Sequence, residues 1–222
     1  ADYHALTAVK DSKKFKEDVY NVAATWLALG LDPQKATFFK QSDVPETFEL
    51  SWILSCMTPK GDLNRAHSYK DKVAKNNEEK RDPDHGVNLG LFSYPVLMSA
   101  DILLYDAEII PVGKDQKQHL EMTRDIAGSM NGKYGELFVL PEVAINEDTM
   151  TIPGTDGQKM SKSYNNFINI FLPEKKLRKQ VMRIVTDSTP LEEPKDADNC
   201  IAYQLFSLIA EKSDADTMKQ KL

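Results

Sequence analysis

The chain has 222 residues, of which 41% are hydrophobic and 28% charged, with a formal net charge of −6. This suits one large domain, or one domain and part of another, with a sizeable core, and the acidic balance argues against a general attraction to nucleic acid, so any RNA contact needs a local basic patch. No apolar run approaches the roughly 20 residues that span a bilayer, and Cys56 and Cys200 lie far apart with no CxxC and no metal-ligand spacing, which reads as a reduced, cytoplasmic setting.

Leu6 to Val9 reads as the remnant of a strand. Ser12 then caps a helix on which Phe15, Val19, Val22, Trp26 and Leu27 recur at helical spacing, and Gly30 stops it. Ala36 to Phe39 reads as a short buried strand. Asp43, Pro45 and Glu46 start a helix in the manner of a capping box, with Leu50, Ile53, Leu54 and Met57 on one face. Residues 59–88 are polar and charged and read as a mobile excursion. From Leu89 to Tyr105 the pattern is helical and apolar, Ile109 to Val112 is a strand, Asp115 to Ala127 a helix, and Leu137 to Leu140 a further strand. Strands alternating with helices predict an α/β fold with a mainly parallel sheet. After Phe171 only helical patterns remain, so a second, helical domain is expected from Pro173.

Three stretches carry chemistry. In "IIPVGKDQKQH" a glycine follows a strand and precedes a helix, where open α/β sheets bind ligands. Gly113 lets a ligand approach the backbone, Asp115 can cap the helix or bond a ribose, and Gln116 can donate and accept. An ordinary βα turn is the alternative. Asp101 is the lone charge on the helix between Leu89 and Tyr105, so it either pairs with a donor or lies on a narrow solvent-facing side near Ser93. The third stretch, "PGTDGQKMSKSYNN", sets two lysines and two serines behind flexible glycines. Mobile ammonium groups and hydroxyls suit a polyphosphate whose charge grows during reaction. A Walker pattern is absent, and a solvated loop is the bland reading.

Lys159-Met160-Ser161-Lys162-Ser163 matches the KMSKS signature of class I aminoacyl-tRNA synthetases letter for letter. "SYPVLMSADILLYDAEIIPVGKDQKQHLEMTRDIA", "DYHALT" and "PGTDGQKMSKSYNN" together resemble the bacterial type of the tryptophanyl-tRNA synthetases, over nearly the whole chain and only loosely across 63–86. The resemblance implies a Rossmann-like parallel-sheet catalytic domain over 1–172, followed by the start of a helical anticodon-recognition domain over 173–222. It implies formation of tryptophanyl-adenylate from L-tryptophan and ATP, then transfer to tRNA(Trp), with Mg²⁺ accompanying ATP and held mainly by phosphate oxygens, and with no metal site of the protein's own. A homodimer follows from the same resemblance.

On these residues the resemblance assigns Asp101 to the indole N–H, and Met98, Ile102, Ile110 and Val112 to the walls of the indole pocket. Gln116 and His4 fall near the amino acid. Gly113, Lys114 and Asp115 match the nucleotide-contacting turn, with Lys114 departing from the family's usual glutamate. Ile152 lies near adenine, and Lys159, Met160, Ser161, Lys162 and Ser163 contact ATP, with Lys159, Ser161 and Lys162 serving the departing pyrophosphate. No HIGH-like motif occurs, the first residue is not methionine and the last lie in a helical pattern, so a chain cut at both ends and deficient in activation is expected. Two other readings stay open: a tyrosine-specific enzyme of the same class, and a non-catalytic RNA-binding or dimerisation fragment that uses the basic stretch "EKKLRKQ".

Overall fold

The computed structural model describes residues 1–145, 152–161, 164–190 and 193–222. The chain divides into two compact units, Ala1–Ile145 and Asn146–Leu222.

The first unit runs α1 (Asp2–Ala5), α2 (Ser12–Ala28), α3 (Glu46–Met57), α4 (Lys60–Leu63), α5 (His67–Glu78), α6 (Leu89–Leu103), β1 (Ile109–Pro111), α7 (Lys117–Tyr134) and β2 (Glu142–Ala144). β1 and β2 pair in parallel, Ile110 opposite Val143, and α7 supplies the long crossover that parallel pairing requires. The unit is therefore α/β, although its sheet is smaller than the sequence suggests.

Its core is helical. Leu54 of α3, Val96, Ala100 and Leu103 of α6, and Met122, Ile126, Ala127 and Met130 of α7 form one buried cluster. Ala100 and Ala127 are fully buried, and their small side chains leave room for neighbouring helices. A buried hydroxyl pair, Ser99 Oγ to Thr123 Oγ1 at 2.9 Å, joins α6 to α7 inside this layer. Each hydroxyl has a single hydrogen, so one donates across the pair while the other donates to its own helix's carbonyl, Pro95 O for Ser99 or His119 O for Thr123, and neither is left unsatisfied.

Several local expectations are corrected. Leu6 to Val9 is not a strand: the chain opens in α1, and the amides of Leu6, Thr7, Ala8 and Val9 bond back to carbonyls three or four residues earlier. Asp11, not Ser12, caps α2, accepting from the amides of Lys13 and Lys14. Gly30 does end that helix, at φ +100°, with Leu31 N bonded to Trp26 O. Ala36 to Phe39 is exposed and forms no strand. Pro45 occupies the cap position of α3 without a side-chain cap, and Asp43 pairs with Lys40 instead. Ile53 points outward while Thr47, Ser51 and Leu54 face in. The supposed excursion contains α4 and α5. Its following turn is pinned by the buried Asn76, whose Nδ2 donates to the carbonyls of Pro83 and His85. Leu137 to Leu140 is not a strand either, because the Asn131 carboxamide oxygen captures the amides of Leu137 and Phe138; pairing starts later, at Glu142.

The second unit contains an antiparallel bridge, Pro153 with Lys159, and α8 (Glu174–Val181), α9 (Ile201–Ser207) and α10 (Lys212–Lys219). Val185 N donates to Thr155 O at 2.8 Å, tying the segment after α8 to the bridged turn. Among the described residues, no helix is long and apolar enough to cross a membrane.

Candidate active site

Asp101 resolves one of the alternatives left open by the sequence. Its side chain is 30% exposed, and both oxygens are engaged: His4 Nε2 lies 2.8 Å from Oδ2, and Gln41 Nε2 donates to Oδ1 at 2.7 Å. Gln41 is 5% exposed and is itself oriented by Tyr3 N, which donates to its Oε1 at 3.0 Å. A carboxylate in an apolar helix is thus held by two polar side chains from the N-terminal segment and the turn before α3, with part of its surface still open. Gln41 was missed from the sequence, where nothing in "KQSDVPE" marks it.

Tyr94 is the second residue missed. It lies four residues before Met98 and seven before Asp101, a spacing that puts all three on one face of α6. Its ring meets His4 edge-on at 6.0 Å and His119 at 5.2 Å. The next turn of that face carries Ile102, which is buried. Ile110 and Val112 are half-buried and separated by one residue, so they share a face where the strand leaves β1.

The turn after β1 is a 3-10 helix, Lys114–Gln116, which leads directly into α7. Asp115 does not cap it; its Oδ2 accepts from Gln116 Nε2 at 3.2 Å, and Gln116 occupies the position before α7. Gly113 is extended, and a Cβ there would stand 2.8 Å from Asp115 Oδ1, so glycine lets this carboxylate fold back over the turn. Lys114 is exposed. Thus His4, Asp101, Gln116 and Asp115 belong to one polar neighbourhood through Tyr94 and His119, with Gly113 and Lys114 adjoining it in the chain.

In the second unit, the described part of the signature follows a stapled turn. Met160 N donates to Ile152 O at 2.9 Å, and Gly154 N donates to Gln158 O at 2.6 Å. The hub is Asn166, 3% exposed: its Nδ2 donates to Asp156 Oδ1 at 2.8 Å and Lys159 O at 3.1 Å, and its Oδ1 accepts from Ser161 N at 2.7 Å. That hydrogen bond to Asn166, aided by the Gln158 amide, holds the Asp156 carboxyl below its usual range. Gly154 faces the Asn166 carboxamide so closely that a Cβ would overlap it. Lys159 is exposed, Met160 and Ser161 are half-buried, and Ile152 is exposed. Lys162 and Ser163 lie outside the described residues. Among the described residues, no group of three His, Cys, Asp or Glu side chains is placed to hold a metal ion.

An α/β unit with clustered polar groups beyond its first strand, followed in the chain by a KMSKS sequence, points to a class I aminoacyl-tRNA synthetase. Residues 1–221 match the family model described as "tRNA synthetases class I (W and Y)", and the chain belongs to that family. The tryptophan–tRNA ligase of Fusobacterium nucleatum is 58% identical over 217 residues, covering 96% of this chain and 64% of that protein. The tryptophan–tRNA ligase of Campylobacter jejuni is 54% identical over 213 residues, with the same shares covered. A crystal structure of tryptophanyl-tRNA synthetase from Campylobacter jejuni complexed with ADP and tryptophan superimposes with a TM-score of 0.84 at 52% identity, covering 99% of this chain and 66% of that one. The chain therefore spans about two thirds of the length of these relatives.

Proposed function

We propose that the protein is a tryptophan–tRNA ligase, joining L-tryptophan to ATP as tryptophanyl-adenylate with release of pyrophosphate, then transferring tryptophan to tRNA(Trp). The observation that carries this reading is the part-open Asp101 carboxylate held by His4 and Gln41 on an apolar helix. It is supported by the 58% identity to a tryptophan–tRNA ligase.

In this reading Asp101 accepts the indole N–H between walls formed by Met98, Ile102, Ile110 and Val112, with His4 and Gln116 near the amino acid. A site whose polar group is satisfied by that N–H rejects side chains that leave the carboxylate without it. Gly113, Lys114, Asp115 and Ile152 contact ATP, which arrives with its Mg²⁺ as substrate. Lys159, Met160, Ser161, Lys162 and Ser163 gather at the phosphates, where the two ammonium groups follow charge onto the pyrophosphate. The nucleophile is the substrate's own carboxylate, so the protein's work is positioning and electrostatic stabilisation.

The same proposal carries a cytoplasmic location, a homodimer, a catalytic domain to residue 172 and a helical tRNA-recognising domain from 173. The exposed Lys175, Lys176, Arg178 and Lys179 of α8 support an RNA-facing surface there. Charging of tRNA(Trp) with labelled tryptophan by the full-length protein tests it. Accumulation of tryptophanyl-tRNA is expected; tRNA(Trp) left uncharged under conditions that support a control ligase would overturn it.

A further inference from the structure

A chain of hydrogen bonds runs behind the candidate amino-acid site. Ser68 Oγ lies 2.7 Å from Tyr94 Oη, Tyr94 Oη lies 2.8 Å from His119 Nε2, and His119 Nδ1 lies 2.9 Å from Gln116 Oε1. Gln116 Nε2 donates in turn to Asp115 Oδ2 at 3.2 Å. The chain links α5, α6, α7 and the turn before α7, and its centre, His119, is only 2% exposed.

The carboxylate at one end gives the chain a direction. Ionised Asp115 can only accept, so the Gln116 amide nitrogen faces it and the Gln116 carbonyl oxygen must face His119. That oxygen can only accept, so His119 carries its proton on Nδ1. A neutral imidazole protonated on Nδ1 accepts on Nε2, which turns the Tyr94 hydroxyl hydrogen toward His119 and leaves the Tyr94 oxygen to accept from Ser68. Burial acts in the same sense at both central groups. It pulls the His119 imidazolium below its usual range, with His67 and His4 adding to that and Asp115 opposing, and it pushes the Tyr94 phenol up.

We propose that His119 is a positioning residue that, as the neutral Nδ1–H tautomer, fixes the carboxamide of Gln116 and so sets which of its atoms the amino-acid substrate meets. The inference rests on the ligase reading for its substrate, but the tautomer stands on the geometry of this chain. His119 itself touches no substrate; it acts through Gln116.

Two near-isosteric substitutions separate this from a packing role. Asparagine at 119 places an amide N–H where Nδ1 sits and keeps the donor to Gln116. Glutamine carries its amide out to the Nε2 position, toward Tyr94, and loses that donor. In tryptophan-dependent ATP–pyrophosphate exchange by the full-length protein, His119→Gln is expected to raise KM for tryptophan about tenfold, the worth of one lost hydrogen bond at the upper end of its range. KM for ATP should change little, and His119→Asn should stay within about threefold of wild type for both substrates. Equal effects of the two variants on both KM values would overturn the positioning role. The tautomer is read independently of activity from long-range proton–nitrogen NMR of the labelled chain: Nδ1 protonated and Nε2 bare are expected, and the reverse, or a doubly protonated ring at neutral pH, would overturn the proposal. A wild-type protein without tryptophan-dependent exchange would refute the ligase reading while leaving the NMR result to judge His119.

Discussion

Asn166→Ala should release the first half of the signature from its turn. The substitution removes the donors to Asp156 Oδ1 and Lys159 O and the acceptor for Ser161 N. Asp156 is exposed, so water readily replaces its bond and the loss there contributes little. The bonds to Lys159 O and Ser161 N converge on a buried carboxamide, and neutral bonds of that kind contribute about 0.5–1.5 kcal/mol each, so the local hold weakens by about 2 kcal/mol. At about 1.4 kcal/mol per tenfold, the open population rises about 30-fold. Amide hydrogen exchange at Met160, whose N–H donates to Ile152 O across the same turn and keeps its acceptor in the variant, reads that population directly. Protection there should fall about 30-fold, whereas Leu104, whose amide bonds to Ala100 in the other unit, should be unchanged. Gly154→Ala should reach the same end from the opposite side, because its Cβ displaces the Asn166 carboxamide. Unchanged Met160 exchange in both variants would refute the staple.

Asp101→Asn replaces an acceptor-only group, both of whose oxygens are engaged, with one that turns an N–H₂ toward His4 or Gln41. KM for tryptophan should rise about tenfold or more, the cost of one misplaced charge-assisted bond, with KM for ATP as the internal control. Gly157→Ala meets φ +82° and a Cβ 2.9 Å from Ile201 Cδ1; denaturant titration of the second unit's exchange-protected amides should show a loss of about 1–2 kcal/mol. His119 has a folded pKa depressed by burial and by His67 and His4, so the unfolded chain binds the proton first. Stability contributed by the neutral ring is complete above the ordinary histidine range and is lost as pH falls through that range toward the lower folded value. Thermal unfolding of wild type and His119→Asn between neutral and mildly acid pH should converge as pH falls; parallel curves would contradict the assignment.

The long helices are legible in the sequence because α2, α6 and α7 repeat apolar residues over several turns. The strands are not: Glu142 to Ala144 is too short to show a period, and Leu137 to Leu140 has the composition of a strand but is turned by Asn131, whose side chain no pattern reveals. The α5 helix is polar almost throughout and buries Asn76, so it reads as a loop. At the site, the lone charge of Asp101 is visible in the string, whereas its partner Gln41 lies 60 residues away and becomes evident only in three dimensions. The signature is likewise readable as letters, but its dependence on Asn166 comes from a side chain folding back over the turn.

Tryptophan and tyrosine compared in ATP–pyrophosphate exchange by the full-length protein give the most direct test of the account, with Asp101→Asn run beside the wild type. Exchange that requires tryptophan, ignores tyrosine and weakens in Asp101→Asn through KM for tryptophan is the expected result. Exchange driven by tyrosine, or a tryptophan preference untouched by Asp101→Asn, would contradict the reading of Asp101 on which the proposed function stands.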